Sequence, residues 1–389
     1  MIIRSEIQES LTLKFAESAN ERRKKGLDII SLGLGEPEFP VPKEIVEATI
    51  NILSTKKSGY SSPLGLQKLR EQIAEKLKNE NGINCDFQNI IITPGSKQAL
   101  QLILMALLKP NDEVIVLTPA FVSFIPQIYL AEPNSIVHEV DVSKIDYSIP
   151  FEKIEKSINS NTKLLILNTP NNPAGYMFSD EELKKLYALA ELYDFYIVSD
   201  EIYEKLNFSN NNHFSIGSLE DNVKRIITIN GFSKSHSMTG WRLGYACFPK
   251  SMSSDLLKIQ QHVNTNTCTF IQEGLTAAYD NIDYSYLDEY NKKLKNRIDL
   301  FMDMVNNTNK ISSVKPQGGF FGFLNIAETK VSSNQFCSDL ILETGVALTP
   351  GVAFGNNWDD HVRISFATED SIVEKGLALI KEFVEKKYN

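Results

Sequence analysis

Six short runs of consecutive apolar, mostly β-branched residues recur along the chain: Ile90-Ile91-Ile92-Thr93, Val114-Ile115-Val116-Leu117, Ile136-Val137, Leu164-Leu165-Ile166-Leu167, Tyr196-Ile197-Val198-Ser199 and Ile226-Ile227-Thr228-Ile229. A strand with one wet face alternates apolar and polar residues; a strand with no polar face must be covered on both sides. Helical patterns separate the runs, so the arrangement predicts a parallel sheet layered between helices. Ser179-Asp180-Glu181-Glu182 reads as a capping box opening a helix to Tyr193, and Leu66 to Lys78 carries apolar residues at helical spacing. From the long helical stretch Leu287 to Met304 the pattern becomes α+β. An aromatic strand Gly319-Phe320-Phe321-Gly322-Phe323, a helix near Gln335 to Glu343, a strand Val362-Arg363-Ile364-Ser365 and a helix Ile372 to Glu385 follow. The change of pattern places a domain boundary near residues 280–290.

At 389 residues the chain is long enough for a large and a small domain, each with its own core. Hydrophobic residues at 42% and charged residues at 23% are ordinary for a globular protein. A net charge of −9 argues against a nucleic-acid surface, which needs a basic stripe, and favours a small-molecule substrate. No apolar stretch approaches bilayer-spanning length and Met1-Ile2-Ile3-Arg4-Ser5-Glu6 is polar within a few residues, so a cytoplasmic protein without membrane contact is expected. Cys85, Cys247, Cys268 and Cys337 are scattered without C-x-x-C spacing and read as reduced, mostly buried thiols. The five histidines have no ligand spacing, and no metal site is expected.

The chemistry concentrates just past the predicted strand ends, where ligands bind in open α/β sheets. Lys234 sits in Gly231-Phe232-Ser233-Lys234-Ser235-His236-Ser237-Met238-Thr239-Gly240-Trp241-Arg242, an amine flanked by hydroxyls with an arginine eight residues on. A lysine does covalent chemistry by condensing with a carbonyl, and this set suits a phosphorylated aldehyde such as pyridoxal phosphate. A surface lysine in a Ser-rich loop would read the same. Thr93-Pro94-Gly95-Ser96-Lys97-Gln98 ends a strand and opens a helix, which makes it either a phosphate cup or an ordinary cap. Asp200, after the apolar Tyr196 to Val198, would be a buried carboxylate in need of a partner, or a helix N-cap. Thr169-Pro170-Asn171-Asn172-Pro173 is by itself a turn, and Arg363 on a short strand is by itself a solvent-facing arginine.

These motifs together, and above all Asn230 to Ala246 with Met238-Thr239-Gly240-Trp241-Arg242-Leu243-Gly244-Tyr245-Ala246, resemble class I aminotransferases of pyridoxal phosphate fold type I, the aspartate aminotransferase family. The similarity runs in register from about Gly33 to Ser365. It implies an α/β fold in which residues 43–285 form a large domain with a mostly parallel seven-stranded sheet between helices. Residues 1–42 would join residues 286–389 in a smaller α+β domain. It further implies that Lys234 carries pyridoxal 5'-phosphate and shuttles a proton. Gly95, Ser96, Lys97, Ser233 and Arg242 would hold the phosphate, and Tyr60 would reach the phosphate of a neighbouring subunit in a homodimer with shared sites. Asp200 would pair with the pyridinium nitrogen, Tyr203 and Asn172 would donate to the ring phenolate oxygen, and Phe121 would stack on the ring. Arg363, with the backbone of Gly35, would clamp the α-carboxylate of an amino acid.

Several positions depart from the family pattern. Gly231 stands where a hydroxyl is frequent, Ala174 where threonine is commoner, and Ala120 replaces an aromatic residue. The expected activity is transfer of the amino group of an aspartate-like or aromatic L-amino acid to a 2-oxo acid such as 2-oxoglutarate. A C–S β-lyase or related lyase on the same fold shares the first steps. A helix-turn-helix regulator carrying such a domain is disfavoured by the acidic chain and by the position of the Lys234 motif. By resemblance to bacterial aspartate aminotransferases, where a lysine at this place is associated with the distal carboxylate of acidic substrates, Lys97 favours an acidic substrate. Gln8-Glu9-Ser10-Leu11-Thr12-Leu13 lacks the basic, Pro-containing pattern of such enzymes, Asn264-Thr265-Asn266-Thr267 differs from theirs, and Phe121, Phe320 and Phe321 suit aromatic substrates.

Overall fold

A computed structural model describes residues 7, 9–26, 28–209 and 212–388; the polar N-terminal segment 1–6, Gln8 and part of the 207–213 turn lie outside them. The strands are β1 (Ile30–Ser31), β2 (Ile90–Thr93), β3 (Glu113–Thr118), β4 (Ile136–Asp141), β5 (Thr162–Asn168) and β6 (Tyr196–Asp200). They continue as β7 (Ile226–Gly231), β8 (Gly244–Cys247), β9 (Phe321–Asn325), β10 (Val346–Ala347), β11 (Thr349–Pro350) and β12 (His361–Ser365).

Seven strands form one sheet in the order β2-β8-β7-β6-β5-β3-β4, all neighbours parallel except those of β8. The continuous apolar runs are explained by where alternate residues go. Val114, Val116, Leu164, Ile166 and Val198 pack on one face with the helix Ser96–Leu107. Their neighbours Ile115, Leu117, Leu165, Leu167 and Ile197 pack on the other with the helix Asp180–Tyr193. That helix opens on the expected capping box, Ser179 with Glu182. The edge strand β4 carries His138 and Glu139, polar residues of the kind that discourage strand addition.

β8 is absent from the run pattern because Gly-Tyr-Ala-Cys is short and opens on glycine. Its antiparallel insertion between β2 and β7 depends on glycines: a Cβ on Gly231 would lie 2.8 Å from the Gly244 Cα. A side chain at 231, including the hydroxyl frequent in the family, would need the two strands to part.

A second, antiparallel sheet has the order β11-β12-β9, and β1 pairs in parallel with β10. The helices Ser285–Asn306 and Asp370–Tyr388 pack behind them. Arg297, 2% exposed, donates to Glu38, Asp370 and the Phe366 carbonyl, so this buried cation is fully paired and ties the N-terminal stretch to both C-terminal helices. Of the four thiols, which are all free, only Cys247 and Cys337 are buried; Cys85 is half-buried and Cys268 exposed, so the expectation of mostly buried cysteines is half met.

Candidate active site

β3, β5, β6 and β7 end on one side of the large sheet; Asp200 closes β6, Asn172 and Lys234 follow β5 and β7, and Phe121 follows β3. Of the residues to which the resemblance assigns a role toward cofactor or α-carboxylate, all but Gly95 and Tyr60 line one cavity of about 430 Å³ at these ends; Phe321 lines it too, and Phe320 does not. A second cavity, of about 480 Å³, backs onto the same Lys234 turn but contains neither Lys234 nor Arg363.

Lys234 lies in the turn after β7, and its Nζ donates to the Gly35 carbonyl at 2.6 Å. Burial lowers its pKa to about 8, and the guanidinium groups of Arg363 and Arg242 push the same way against Glu36. An amine near neutrality in pKa is a usable nucleophile and proton acceptor. Its Nζ also stands 5.4 Å over the Phe320 ring and 5.9 Å over that of Tyr203.

The turn from β2 into the helix Ser96–Leu107 is built around Gly95, at φ +83°. A Cβ there would sit 2.4 Å from the Arg242 Nη2, so glycine is what lets the guanidinium close over the helix N-terminus. Arg242 itself has φ +57°, an uncommon backbone for a non-glycine residue, held by bonds from its side chain to the Thr239 and Pro94 carbonyls. Gly244 at the start of β8 presses on the same turn: a Cβ would fall 2.4 Å from the Ser96 nitrogen. The result is a helix N-terminus with an arginine beside it, which is an anion site on general grounds.

Asp200 ends β6 and is buried, with one oxygen accepting from the Ile202 N–H at 3.2 Å. A turn, not a helix, follows it, so it is no N-cap. Burial raises its pKa to about 7, and Glu201 next to it adds to the rise. The carboxyl has no ion-pair partner among the described residues. Asn168 at the end of β5 donates to the Asp200 carbonyl and accepts from the Asn172 N–H, locking the two turns together. Tyr203 is buried edge-on to Phe320 and Phe321, and its phenol is held above its ordinary range by that burial.

Arg363 is 5% exposed, which removes the solvent-facing reading. Its guanidinium donates to the Asn172 Oδ1 at 2.9 Å and the Gly33 carbonyl at 2.6 Å, with the rings of Phe321 and Phe354 at 4.4 and 5.0 Å. Nε has no partner, and no carboxylate pairs with the group among the described residues. Burial lowers its pKa to about 10. A buried cation without a counter-ion is costly and fits a pocket made to receive an anion.

Lys97 points into the same cavity, its Nζ 5.2 Å over the Phe121 ring, with its pKa lowered by burial and by Arg242. Tyr60 stands apart, 90% exposed. Ser10 and Thr12, in the Gln8 to Leu13 stretch that the sequence connects with substrate choice without assigning either a role, bond each other through their hydroxyls at 2.8 Å on the cavity wall, and Thr349 and Phe354, which the sequence reading missed, help hold Arg363. No local signal marks Thr349 and Phe354, because they reach the site through tertiary packing. Glu201, Glu204 and His213 have potential ligand atoms within 4.8 Å of one another. Their carboxylates are already bonded to Ser199, Ser215, Lys76 and Asn81.

Fold and site together define an α/β enzyme with an amine nucleophile in a cleft lined by cations. A sequence model of the class I and II aminotransferases matches residues 27–380. The aspartate aminotransferase of Bacillus subtilis is 35% identical over 388 residues, 98% of each chain. The aromatic-amino-acid aminotransferase 2 of Thermococcus litoralis is 35% identical over 362 residues, 92% of each. The crystal structure of the Thermotoga maritima aspartate aminotransferase superposes with a TM-score of 0.91 at 35% identity, covering 99% of this chain and all of that one. The chain belongs to the class I and II aminotransferase family, and its activity is transfer of an amino group. The lyase alternative is not favoured by these relatives.

Proposed function

We propose that this aminotransferase uses pyridoxal 5'-phosphate bound through Lys234, takes its amino group from aspartate or an aromatic amino acid, and passes it to 2-oxoglutarate. The observation that carries the reading is the buried, unpaired Arg363 beside Lys234, since an amino-acid enzyme needs a cation for the α-carboxylate next to the reacting amine. The donor set suits the cofactor. A helix N-terminus with Arg242 over Gly95 accommodates a phosphate, and the unpaired Asp200 accommodates a ring N–H⁺.

When bound, the cofactor supplies an aldehyde for amines and a ring that withdraws electrons. The protein residues do the rest. The N–H groups of Gly95, Ser96 and Lys97, the Ser233 hydroxyl and Arg242 hold the phosphate dianion. Asp200, ionised once a cation faces it, keeps the ring nitrogen protonated. Asn172 and Tyr203 donate to the ring phenolate oxygen, while Phe121 stacks on one face. Arg363 takes the substrate carboxylate in a charge-assisted fork, with the Gly35 N–H as a further donor. That contact orients the substrate Cα–H toward the Lys234 Nζ, which accepts the proton and returns it on the other side of the transfer.

Lys97 suits the distal carboxylate of an aspartate-like donor, and the relatives above include an aspartate and an aromatic enzyme. We infer a homodimer in which the exposed Tyr60 reaches the neighbouring phosphate. We also infer a large domain at 43–285 with residues 1–42 and 286–389 as the small one. A cytoplasmic location agrees with four free thiols. Incubating the cofactor-loaded protein with single amino donors and 2-oxoglutarate tests the activity. Glutamate formation with aspartate is expected; pyruvate plus ammonia without glutamate would sink the reading, and no response to aspartate would sink the preferred donor.

A further inference from the structure

The turn that carries Lys234 is held from two sides, and both holds lead to one helix. The Lys234 Nζ donates to the Gly35 carbonyl at 2.6 Å. One residue on, the Ser235 carbonyl accepts from the Tyr286 hydroxyl at 2.8 Å. Tyr286 stands in the first turn of the helix Ser285–Asn306, and its ring lies 5.2 Å from that of Phe39, in the segment that Gly35 opens. A closed circuit results: from the Lys234 side chain to Gly35, along the chain to Phe39, across to Tyr286, and back to the main chain beside Lys234.

The same helix grips the Gly35 to Phe39 segment at two further points. Tyr290 meets the Phe39 ring edge-on at 4.8 Å, and Arg297 donates to Glu38 at 2.7 Å. At about 100° per residue, Tyr286, Tyr290 and Arg297 fall within roughly 40° of one another, on one helix face. The Lys234 turn is otherwise closed by its own residues. The N–H groups of His236 and Met238 donate to the Phe232 carbonyl, and the Ser235 hydroxyl bonds the His236 Nδ1 at 2.8 Å. His236 meets Tyr284, just ahead of the helix, only at 3.4 Å. Among the described residues, the Tyr286 hydroxyl therefore makes the one short hydrogen bond from this helix to the turn. Tyr286 does not line the cavity that holds Lys234 and Arg363.

We propose that Tyr286 is a positioning residue for the amino-group transfer, holding the Lys234 turn and the Gly35 to Phe39 segment in one register. The role rests on the reading of Lys234 as the lysine that accepts the proton from the donor's Cα. On that reading Gly35 faces both partners of the step, its carbonyl toward the Lys234 Nζ and its N–H toward the α-carboxylate. A drift of Gly35 against the turn misplaces base and substrate together, and small misplacements of reacting groups are costly in rate. Donor affinity is spared, because Arg363 is aimed by Asn172 and Gly33 and not by Tyr286. Loss of the Tyr286 hydroxyl therefore acts on proton transfer and leaves binding in place.

The test compares the full-length protein with Tyr286→Phe, which keeps the ring on Phe39 and removes only the hydroxyl. Without cofactor, deuterium exchange of the amides from Phe232 to Met238 should quicken by roughly fivefold, the worth of one hydrogen bond, while that of Leu294 to Phe301 keeps its rate. With cofactor, single turnover of aspartate, or of phenylalanine where that is the faster donor, should slow by roughly ten- to a hundredfold. Donor affinity should stay within about twofold, and the effect of deuterium at the donor's Cα should rise as proton transfer becomes the slow step. Phe39→Leu, which loosens the same contact from the other side, should give the same signature and decides if Tyr286→Phe fails to fold. Borohydride reduction of both proteins separates two failures. No label on Lys234 in the parent overturns the underlying reading; a label in both with unchanged turnover and isotope effect overturns the role of Tyr286 alone. Unchanged amide exchange, or a loss confined to donor affinity or melting temperature, would overturn it as well.

Discussion

Replacing Arg363 with leucine removes the buried cation proposed to receive the α-carboxylate. The guanidinium offers the substrate its unpartnered Nε and a fork already aimed by Asn172 and Gly33. Two charge-assisted hydrogen bonds at roughly 1.5–3 kcal/mol each amount to about 3–6 kcal/mol of transition-state binding. That loss corresponds to roughly a hundred- to ten-thousand-fold in kcat/KM. Truncation also strands the Asn172 Oδ1 and the Gly33 carbonyl, at about 1–3 kcal/mol each if they find no water, so folding must be followed alongside. The assay is the single-turnover change in cofactor absorbance on mixing with aspartate, compared with a primary amine of similar size that lacks the α-carboxylate. Arg363→Leu should lose the stated factor with aspartate and almost nothing with the amine, while circular dichroism stays native. Arg363→Lys, which keeps a charge but not the fork, should fall between. An equal loss on both donors, or a loss below about tenfold with aspartate, would refute the assigned role.

Lys97→Met should lower kcat/KM for aspartate by roughly ten- to a hundredfold, one charge-assisted bond, and leave phenylalanine nearly unchanged; steady-state kinetics with both donors checks it. Asp200 titrates at about 7 folded, against about 4 for a free carboxyl, so the folded state binds its proton more tightly. Its ionisation therefore weighs on the cofactor-free fold progressively as pH rises from about 4 to 7, by up to roughly 4 kcal/mol. Asp200→Asn should accordingly raise the melting temperature of the cofactor-free protein more at pH 8 than at pH 5 while abolishing turnover; an equal shift at both values would contradict the assigned titration. Tyr60→Phe should weaken cofactor binding by about tenfold, the worth of one charge-assisted bond, measured by equilibrium titration of the protein.

Much of the fold is legible in the sequence because strands covered on both faces are continuously apolar, as the parallel strands β3, β5, β6 and β7 are inside the sheet and the antiparallel β2 is at one edge. β4, at the other edge, is visible only as Ile136-Val137, since it is largely uncovered and keeps polar residues. β8 is invisible because its pairing is decided by glycines at 231 and 244 that let backbones touch, a tertiary condition with no periodicity. In the same way, the polar residues after the strand ends announce a site, and family motifs name Lys234, Asp200, Asn172 and Arg242 within it. Arg363 shows the limit of local reading: all five residues of β12 are buried, so no alternation separates a core position from a site position. Thr349 and Phe354 come from segments whose local sequence gives no pointer to the guanidinium they support.

The claim on which the rest depends is that Lys234 holds the cofactor, and borohydride reduction followed by peptide mapping tests it most directly. Reduced, cofactor-loaded protein should carry the mass of one pyridoxyl phosphate on the peptide containing Lys234, and preincubation with aspartate should prevent the label. A label on Lys97 or another lysine, or Lys234→Ala protein that still turns over at the unmodified rate, would contradict it.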